Sequence, residues 1–348
     1  MIRFERDYCE GAHSKVLELL AATNLEQTDC YGADIYCEEA RNLIRGLCKA
    51  PLADVYFIAG GTQANATVIS AALRPFQGVL SPDTGHINGH EAGAIESSGH
   101  KVLTLINTEG KISAAQVRGT IEEHFDDTKC FHVVQPGMVY ISHPTECGTL
   151  YSKIELTAIS EVCREKGVPL YLDGARMGYG LTAEGSDLTL PEIADLCDVF
   201  TIGGTKQGAL LGEAVVVMSP RLRENFIYMV KQQGALLAKA RVMGIQFVAL
   251  LRDGVYFDIA RRANELAMDI RAALLRCGVP MYVNSPTNQQ FPIFTQKQAE
   301  KLGEKYGLSP WVSLPDGRKV KRICTSWATK EENVARLIAD LEKICGPA

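Results

Sequence analysis

The sequence predicts an α/β protein in which a large domain with a mainly parallel sheet precedes a smaller α+β domain at the C-terminus. Between residues 55 and 220, short β-rich segments alternate with helical segments, as expected for parallel strands joined by helices. Most of these β-rich segments lack polar alternation, which is typical of strands buried on both faces. After Met218 the alternation stops and long helical patterns lead into a mixed region. This change of pattern separates the two predicted domains.

The alternating region predicts the elements of the large domain in turn. Short apolar and β-branched segments bounded by turn residues predict strands, and the longer segments between them predict helices. The predicted strands are residues 55–59, 78–80, 101–106, 131–141, 169–172, 199–202 and 214–218, and the predicted helices are 62–73, 91–98, 113–124, 153–166 and 190–197.

The rest of the chain predicts an N-terminal segment and the small domain. The first 50 residues contain one candidate helix and no sheet of their own, so we expect them to pack across both domains or on a partner subunit. The predicted units are an N-terminal segment (1–50), a large domain (51–253) and a small domain (254–348). Outside the large sheet the predicted helices are 13–20, 224–251, 258–277, 296–306 and 330–345, and the predicted strands are 280–283, 291–294 and 319–326.

The composition is that of an ordinary globular protein. Hydrophobic residues make up 46% and charged residues 22% of the 348 residues, and the net charge is −5. This charge offers no basic surface for nucleic acid. No segment has the length and apolarity of a membrane span or a signal peptide, so we expect a cytoplasmic protein. The eleven cysteines show no metal-ligand spacing and are expected to be reduced, and no metal ion is expected.

Lys206 gives the clearest indication of chemistry. It follows the apolar segment Asp198-Val-Phe-Thr-Ile-Gly-Gly-Thr205, where a buried strand is expected to end. Desolvation lowers the pKa of a lysine and makes it nucleophilic, as Schiff-base formation with an aldehyde requires. The preceding strand ends in Asp173, an acid suited to the protonated nitrogen of a pyridine ring. Pyridoxal phosphate is the cofactor that needs both groups.

A possible phosphate site lies at Gly60, Gly61 and Thr62. These residues join a predicted strand to a predicted helix. Free backbone N–H groups and the positive end of the helix dipole bind phosphate at such a position. The same glycines would also suit a plain strand-to-helix turn. The motif therefore favours phosphate binding only together with the residues around it.

His86 and Arg176 complete the candidate site. His86 follows the next strand in a segment that also contains His90 and Glu91. A lone histidine here is often a cap or a solvated group, but polar clusters at strand ends bind ligands in open α/β sheets. We therefore expect His86 to stack on a flat cofactor ring. Arg176 lies close after Asp173, and its planar fork is predicted to hold a substrate carboxylate, with a surface ion pair as the alternative.

Taken in order, these motifs resemble the low-specificity threonine aldolase group of the β-eliminating lyase family, pyridoxal phosphate enzymes of fold type I. The resemblance covers essentially the whole chain and implies a homodimer or homotetramer that cleaves L-threonine or a similar β-hydroxy amino acid to glycine and an aldehyde. It implies catalytic roles for Lys206, His86 and Asp173. The implied cofactor contacts are Gly60, Gly61, Thr62, His86, Asp173, Arg176, Thr205 and Lys206, and the implied substrate contacts are Arg6, Tyr31, Arg176 and Arg322.

The chain departs from the family pattern at three places near the substrate. Arg6 stands where a serine is usual, and His143-Pro-Thr-Glu146 stands where better-studied aldolases carry Asn-Thr-His. The usual glycine-rich stretch with its arginine is missing, so Lys239 or Arg241 is a candidate for an additional phosphate contact. The cofactor residues are unaffected by these changes.

Two other reactions and one non-catalytic function remain open at this point. β-Elimination and transamination use the same electron sink, so the sequence barely separates them from aldol cleavage. A dinucleotide-binding or regulatory domain would not explain Lys206 after Asp173. It would also require a Gly-x-Gly-x-x-Gly turn, which the segment at Gly60 and Gly61 lacks.

Overall fold

The computed structural model describes residues 1–346 of the chain. Its strands are β1 Ile2–Arg3, β2 Asp54–Ile58, β3 Gln77–Pro82, β4 Lys101–Leu105, β5 Gln135–Ser142, β6 Leu170–Asp173, β7 Val199–Gly203, β8 Glu213–Val217, β9 Gln289–Gln290, β10 Ile293–Phe294, β11 Tyr306–Gly307, β12 Ser309–Ser313 and β13 Lys319–Cys324. Its helices are α1 Ser14–Ala22, α2 Ile35–Leu47, α3 Gly61–Ala72, α4 His86–Gly89, α5 Ala94–Ser97, α6 Ala114–Asp126, α7 Lys153–Lys166, α8 Met177–Leu181, α9 Leu190–Leu196, α10 Pro220–Arg223, α11 Phe226–Gln232, α12 Arg241–Leu251, α13 Val255–Arg276, α14 Gln296–Gly303 and α15 Glu331–Cys345. Among these helices, none combines the length and the apolarity that crossing a membrane requires.

A seven-stranded sheet in the order β2-β8-β7-β6-β5-β3-β4 forms the centre of the large domain. Strands β3 to β7 pair in parallel, whereas β8 is antiparallel to both β2 and β7. The strand β2 therefore runs in the same direction as the parallel strands. This arrangement confirms the predicted α/β class, and it places the carboxyl ends of six strands at one edge of the sheet.

Helices cover both faces of this sheet. Along β8, Val215 and Val217 belong to one apolar cluster, whereas Ala214 and Val216 belong to the other. Successive side chains of a strand point to opposite faces, so both faces must be apolar when both are covered. All five residues of β8 are buried, which explains why the sequence lacks polar alternation here.

The N-terminal segment contacts both parts of the molecule. Helices α1 and α2 pack on α12, and an added Cβ at Gly244 of α12 would lie 2.6 Å from the backbone nitrogen of Cys37 in α2. A glycine is therefore needed for this close helix packing. Further upstream, β1 pairs with β11, and Phe4 lies in the apolar core of the C-terminal unit. The exact domain boundaries stay a prediction.

The C-terminal unit is built around β13. This strand pairs in an antiparallel sense with β9, β10 and β12. Helices α13 and α15 pack together beside it and supply Leu274, Leu337 and Leu341 to a shared apolar core. The mixture of short strands and helices confirms the predicted α+β character of this part.

The prediction of one helix over residues 224–251 is wrong. Helix α11 ends at Gln232, and α12 begins only at Arg241. Gly234 between them has φ of +69°, which interrupts a right-handed helix. The carbonyl groups of Gln233 and Ala238 accept hydrogen bonds from the Gln63 side chain and the Tyr31 backbone, so tertiary contacts replace the helical ones.

Two strand predictions also need correction. Residues 280–283 form no strand, since Met281 makes only an isolated bridge to Pro292. The strand predicted at residues 131–141 begins at Gln135, because a 3₁₀ turn occupies Cys130–His132. Helix α2 was not predicted, although the Asp34 side chain that accepts a hydrogen bond from the backbone of Cys37 is an ordinary helix-start signal.

Candidate active site

The carboxyl edge of the large sheet collects the predicted catalytic residues. Asp173 is the last residue of β6, and Lys206 follows the end of β7. His86 begins α4 after β3, and after β2 Gly60 caps α3 and Gly61 begins it. Parallel strands bring residues that are far apart in sequence to one edge, where ligands bind in open α/β sheets.

Asp173 is held in one orientation by several donors. Its Oδ2 accepts hydrogen bonds from Tyr140 Oη at 2.7 Å and from Asn65 Nδ2 at 3.3 Å. Its Oδ1 accepts one from the backbone nitrogen of Ala175 at 2.9 Å. The side chain is largely buried, with 7% of the residue exposed. A carboxylate fixed in this way can meet a cationic ring nitrogen without reorganising.

His86 is tied to two buried acids. Its Nδ1 lies 2.7 Å from Glu91 Oε1, and its backbone nitrogen donates to Glu146 Oε1 at 2.9 Å. The Glu91 side chain is fully buried, whereas 37% of the His86 side chain is exposed. A carboxylate at Nδ1 holds the proton on that nitrogen and leaves Nε2 as the acceptor. Asn65 Nδ2 donates to Glu91 Oε1 at 2.7 Å and so connects His86 to Asp173.

Lys206 lies beside several charged groups. Burial lowers the pKa of its amine, and the Arg176 cation lowers it further, against the opposing effect of Asp7, Glu213 and Asp173. The backbone around it is fixed because Tyr179 Oη donates to the Lys206 carbonyl at 2.7 Å. Thr205 Oγ1 accepts a hydrogen bond from the backbone nitrogen of Gly212 at 3.1 Å. The lowered pKa favours the neutral, nucleophilic amine.

Asp7 belongs to the N-terminal segment that carries the family resemblance, but it was not among the predicted site residues. It is fully buried and accepts two hydrogen bonds from Arg176, at 2.6 Å from Nε and 2.9 Å from Nη2. Burial raises its pKa, but the Arg176 cation and Lys206 outweigh that effect and the net pKa is lowered. Asn288 Nδ2 donates a third bond at 2.9 Å. A substrate carboxylate at Arg176, which stays a prediction, would have to use Nη1 or the second hydrogen of Nη2.

The remaining predicted substrate contacts lie in different surroundings. Arg322 on β13 donates to the carbonyl of Glu5 at 3.1 Å. Its buried Nε has no hydrogen-bond partner within residues 1–346. Burial, His86 and the Arg322 charge together lower the pKa of His90. Arg322 therefore lies on the same side of the site as His90 and His86.

Arg6 and Tyr31 are more exposed. Arg6 is exposed, and its guanidinium lies 5.9 Å from the ring centre of Tyr8. The ring centre of Tyr31 lies 5.0 Å from Lys231 Nζ, and 52% of Tyr31 is exposed. Their substrate roles stay predictions.

The start of α3 forms an open backbone cradle. Gly60 caps this helix without a side-chain hydrogen bond. An added Cβ at Gly60 or at Gly61 would meet no heavy atom within 4 Å, and Thr62 is exposed. The first N–H groups of a helix have no partner inside the helix and carry its positive dipole end. This geometry suits a phosphate group, in agreement with the expectation for these three residues.

Lys239 and Arg241 are the candidates for an additional phosphate contact, and this role stays a prediction. Arg241 donates to the carbonyl groups of Thr23 and Glu26, each at 2.7 Å, and so holds the turn after α1. Lys239 is exposed. The side-chain nitrogen of Gln63 in α3 donates to the carbonyl oxygen of Gln233 at 2.9 Å. The loop before α12, rather than Arg241, therefore lies next to the cradle.

His143 does not supply the site with a proton. It is 1% exposed, and neither ring nitrogen has a hydrogen-bond partner in the described part of the chain. Its ring packs on α8, where an added Cβ at Gly180 would lie 3.1 Å from His143 Cδ2. In the segment that departs from the family pattern, Glu146 rather than His143 therefore contacts the site, through the backbone of His86.

Burial also makes His143 a pH-dependent element of stability. Burial lowers the pKa of His143 to about 4, whereas an unfolded histidine titrates near pH ~6.5. The unfolded state therefore binds more protons between these values, so stability is fully present above pH ~6.5 and is lost as the pH falls toward ~4. Between pH ~7.5 and pH ~5 we expect the free energy of unfolding to fall by about 2 kcal/mol more in the parent than in His143→Leu. Urea unfolding of both proteins at the two pH values measures this difference. His132→Leu on the exposed surface is the control, and equal pH slopes for parent and His143→Leu would contradict the assignment.

Comparison with known proteins adds independent information. The family model described as β-eliminating lyase matches residues 11–296. The low-specificity L-threonine aldolase of Pseudomonas sp. (strain NCIMB 10558) is 30% identical over 98% of this chain and 97% of that protein. A threonine aldolase structure from Leishmania major is 40% identical, with a TM-score of 0.96 over 99% of this chain and all of that one.

A more distant structure shares the fold alone. A methionine aminotransferase of Escherichia coli has a TM-score of 0.76 at 15% identity, over 98% of this chain and 93% of that one. The fold type I architecture predicted from the sequence is confirmed by these likenesses.

Proposed function

The chain belongs to the β-eliminating lyase family, and from this premise we propose that it is a pyridoxal-phosphate-dependent lyase. The proposed reaction cleaves the Cα–Cβ bond of L-threonine or a similar β-hydroxy amino acid to give glycine and an aldehyde. The observation that carries the proposal is the meeting of Lys206, Asp173 and His86 at one edge of the sheet. The choice of aldol cleavage is supported by the threonine aldolase activity named for the Pseudomonas and Leishmania proteins.

The residues present fit pyridoxal phosphate. The open cradle at Gly60 and Gly61 suits its phosphate, Asp173 suits its ring nitrogen, and the amine of Lys206 suits its aldehyde. When bound, the cofactor supplies a protonated ring that accepts the electron pair of the bond broken at Cα. The lowered pKa of Lys206 supports the assignment of this amine.

Each protein group has a distinct task in this scheme. Lys206 Nζ binds the cofactor and then accepts or returns a proton. Asp173 holds a proton on the ring nitrogen by its negative charge. His86 covers the ring, and its Nε2, left as an acceptor by the bond between Nδ1 and Glu91, takes the proton of the substrate hydroxyl directly or through water.

Two positive groups, one from each domain, bind the substrate carboxylate. Arg322 is the leading residue because its guanidinium has a buried nitrogen without a hydrogen-bond partner among residues 1–346. Arg176, which Asp7 holds in place, is the second cation and orients the amino acid. Arg6 and Tyr31 are assigned to the rim of the site. The homo-oligomer and the cytoplasmic location predicted from the sequence are part of the proposal.

The reaction is tested by its products. The purified protein is saturated with pyridoxal phosphate and incubated with L-threonine, and glycine and acetaldehyde are quantified together. Equal amounts of the two products are the expected result. A keto acid with ammonia would instead establish β-elimination, and a new amino acid formed only with an added keto acid would establish transamination.

Arg322→Ala is expected to raise KM for L-threonine about tenfold or more with a smaller change in kcat. The charged contact to the carboxylate is present in both the ground state and the transition state, so its loss weakens binding. Steady-state kinetics measure the split, and Arg322→Lys should recover part of the loss. Arg318→Ala, an exposed cation near the start of β13 that pairs with Asp316, is the control. An unchanged KM for Arg322→Ala would place the carboxylate elsewhere.

A further inference from the structure

A continuous set of short hydrogen bonds connects Glu146 to Asp173. Glu146 Oε1 lies 2.7 Å from Ser142 Oγ. Ser142 Oγ lies 3.2 Å from Tyr140 Oη, and Tyr140 Oη lies 2.7 Å from Asp173 Oδ2. All four side chains are at least nine-tenths buried. Three hydrogen-bonded contacts therefore connect two buried carboxyl groups.

The number of available protons decides the direction of these bonds. Asp173 accepts from Asn65 Nδ2 and the Ala175 backbone, which can only donate, and Tyr140 has a single proton to give to Asp173 Oδ2. The Tyr140 oxygen is then an acceptor, and Ser142 is its donor. Ser142 has a single proton for its two contacts, with Tyr140 and with Glu146, and a proton on Glu146 would satisfy both of them. An ionised Glu146 would instead take the Ser142 proton and leave Tyr140 without a donor.

The surroundings of Glu146 favour the protonated form. Glu146 Oε2 is buried without a hydrogen-bond partner within residues 1–346, and an unpaired charge in such a position is costly. Burial raises the pKa of Glu146, and the neighbouring Asp173 raises it further, against the lowering effect of its hydrogen bonds. Its Oε1 keeps a lone pair for the backbone N–H of His86 at 2.9 Å.

We propose that a proton held by Glu146 controls the charge of Asp173 through Ser142 and Tyr140. With the proton on Glu146, all three bonds point toward Asp173 and the carboxylate there is stabilised. If Glu146 gives its proton to Ser142, Ser142 gives its own to Tyr140, and Tyr140 gives its own to Asp173. The net result is one proton moved, with Glu146 ionised and Asp173 neutral. Glu146 is thus a positioning residue that acts on the cofactor site without touching it.

This inference rests on the proposed cofactor site, because Asp173 has its role only toward a pyridine nitrogen. Glu146 also fixes the backbone at the start of α4 and so holds His86 in place. The titratable groups around Glu146 are Tyr140, Asp173, His86, Glu91, Cys147 and Tyr151. Any titration observed at the site must therefore be assigned with variants.

The first measurement needs no cofactor and no substrate. Infrared spectroscopy of the protein stripped of cofactor at neutral pH should show the carbonyl stretch of a protonated carboxylic acid that Glu146→Gln removes. Ser142→Ala should shift this band because it removes the acceptor of the Glu146 proton. The proposal is wrong if, at neutral pH, the parent and Glu146→Gln show the same carboxylic acid bands.

The second measurement follows the cofactor. In the protein loaded with pyridoxal phosphate, the pH dependence of the cofactor absorption band should shift by about one unit or more in Ser142→Ala. Glu146→Gln, whose amide can still donate to Ser142, should lose the response of the cofactor band to the Glu146 proton. In Tyr140→Phe the shift should be at least as large as in Ser142→Ala.

Ser160→Ala is the matched control. Ser160 is also a buried serine of the large domain, and its Oγ donates only to the carbonyl of Leu196, at 2.6 Å. We expect the infrared acid band of Ser160→Ala, and the pH dependence of its cofactor absorption band, to match those of the parent. If the cofactor absorption band has the same pH dependence in Ser142→Ala as in Ser160→Ala, the proposed connection between Glu146 and Asp173 is wrong. Absence of threonine cleavage would leave both spectroscopic results intact, so failure of the reaction assignment is distinguishable from failure of this proposal.

Discussion

Lys206→Ala is expected to lower kcat/KM for L-threonine by at least about 1,000-fold, equivalent to about 4 kcal/mol of transition-state stabilisation. The amine is both the group that attaches the cofactor and the closest candidate for proton return, and among the described residues no other lysine lies within five positions after a strand that ends at this edge. Lys206→Arg should be equally inactive, because arginine keeps the positive charge beside Asp7 and Glu213 but cannot act as a neutral nucleophile.

The Lys206 experiment includes measurements that do not depend on turnover. Borohydride reduction of the parent protein loaded with cofactor, followed by peptide mapping, should place the reduced cofactor on Lys206. Lys206→Ala should show no modified peptide, and without cofactor its thermal unfolding should stay close to that of the parent, because the substitution removes a buried amine whose charge is disfavoured by burial. Lys297→Ala in the exposed part of α14 is the control. Modification of a different lysine in the parent would remove Lys206 from the mechanism.

Local sequence patterns were sufficient to find the residues at the strand ends. Asp173 ends an apolar strand and Lys206 follows another, and in each case the strand and the residue type together indicate the position. Gly60 and Gly61 were found in the same way, since they follow β2 and form the N-cap and the first residue of α3. These signals are short-range and depend only on the alternation of strands and helices.

Contacts between distant segments could not be predicted in this way. Asp7 and Arg176 are separated by 169 positions, and Asn65 and Asp173 by 108. Asn65 lies within an apolar helix pattern, and nothing nearby in the sequence indicates that its amide meets two buried acids. The pairing depends on how α3 packs across the sheet, which is a tertiary property.

The helix break before α12 has the same origin. Gly234 alone is a weak signal, because a glycine inside a helix costs only about 1 kcal/mol relative to alanine. The break is stabilised by contacts from Tyr31 and Gln63 to the carbonyl groups of the loop. The sequence therefore predicted the residues at the strand ends better than the loop before α12.

Asp173→Asn is expected to lower kcat by about 100-fold or more, as observed when a preorganised electrostatic group is lost from an active site. The amide has nearly the same size as the carboxylate but has no negative charge to hold a proton on the ring nitrogen. The substitution also replaces one of the two acceptor oxygens, which receive bonds from Tyr140, Asn65 and Ala175. One buried donor is then left unpaired, at a cost of about 1–3 kcal/mol in the free energy of unfolding.

Asp198→Asn separates the electrostatic effect from the structural one. Asp198 Oδ2 accepts a hydrogen bond at 2.9 Å from the backbone nitrogen of Leu170, at the opposite end of β6 from Asp173. This variant removes a carboxylate from the same strand pair without touching the site, so we expect a similar loss of stability with kcat within about twofold of the parent. Unfolding by urea gives the stability of both variants, and single-turnover kinetics at saturating cofactor give the chemical step.

The combination of outcomes decides the role of Asp173. A large fall in kcat for Asp173→Asn, with the cofactor still bound and with stability close to that of Asp198→Asn, assigns the effect to the lost charge. Because Tyr140 gives its only proton to Asp173, Tyr140→Phe should reproduce a fraction of this fall without removing the charge itself. If kcat is unchanged in Asp173→Asn, the ring nitrogen does not need this carboxylate, and the electron sink proposed for bond cleavage at Cα is wrong.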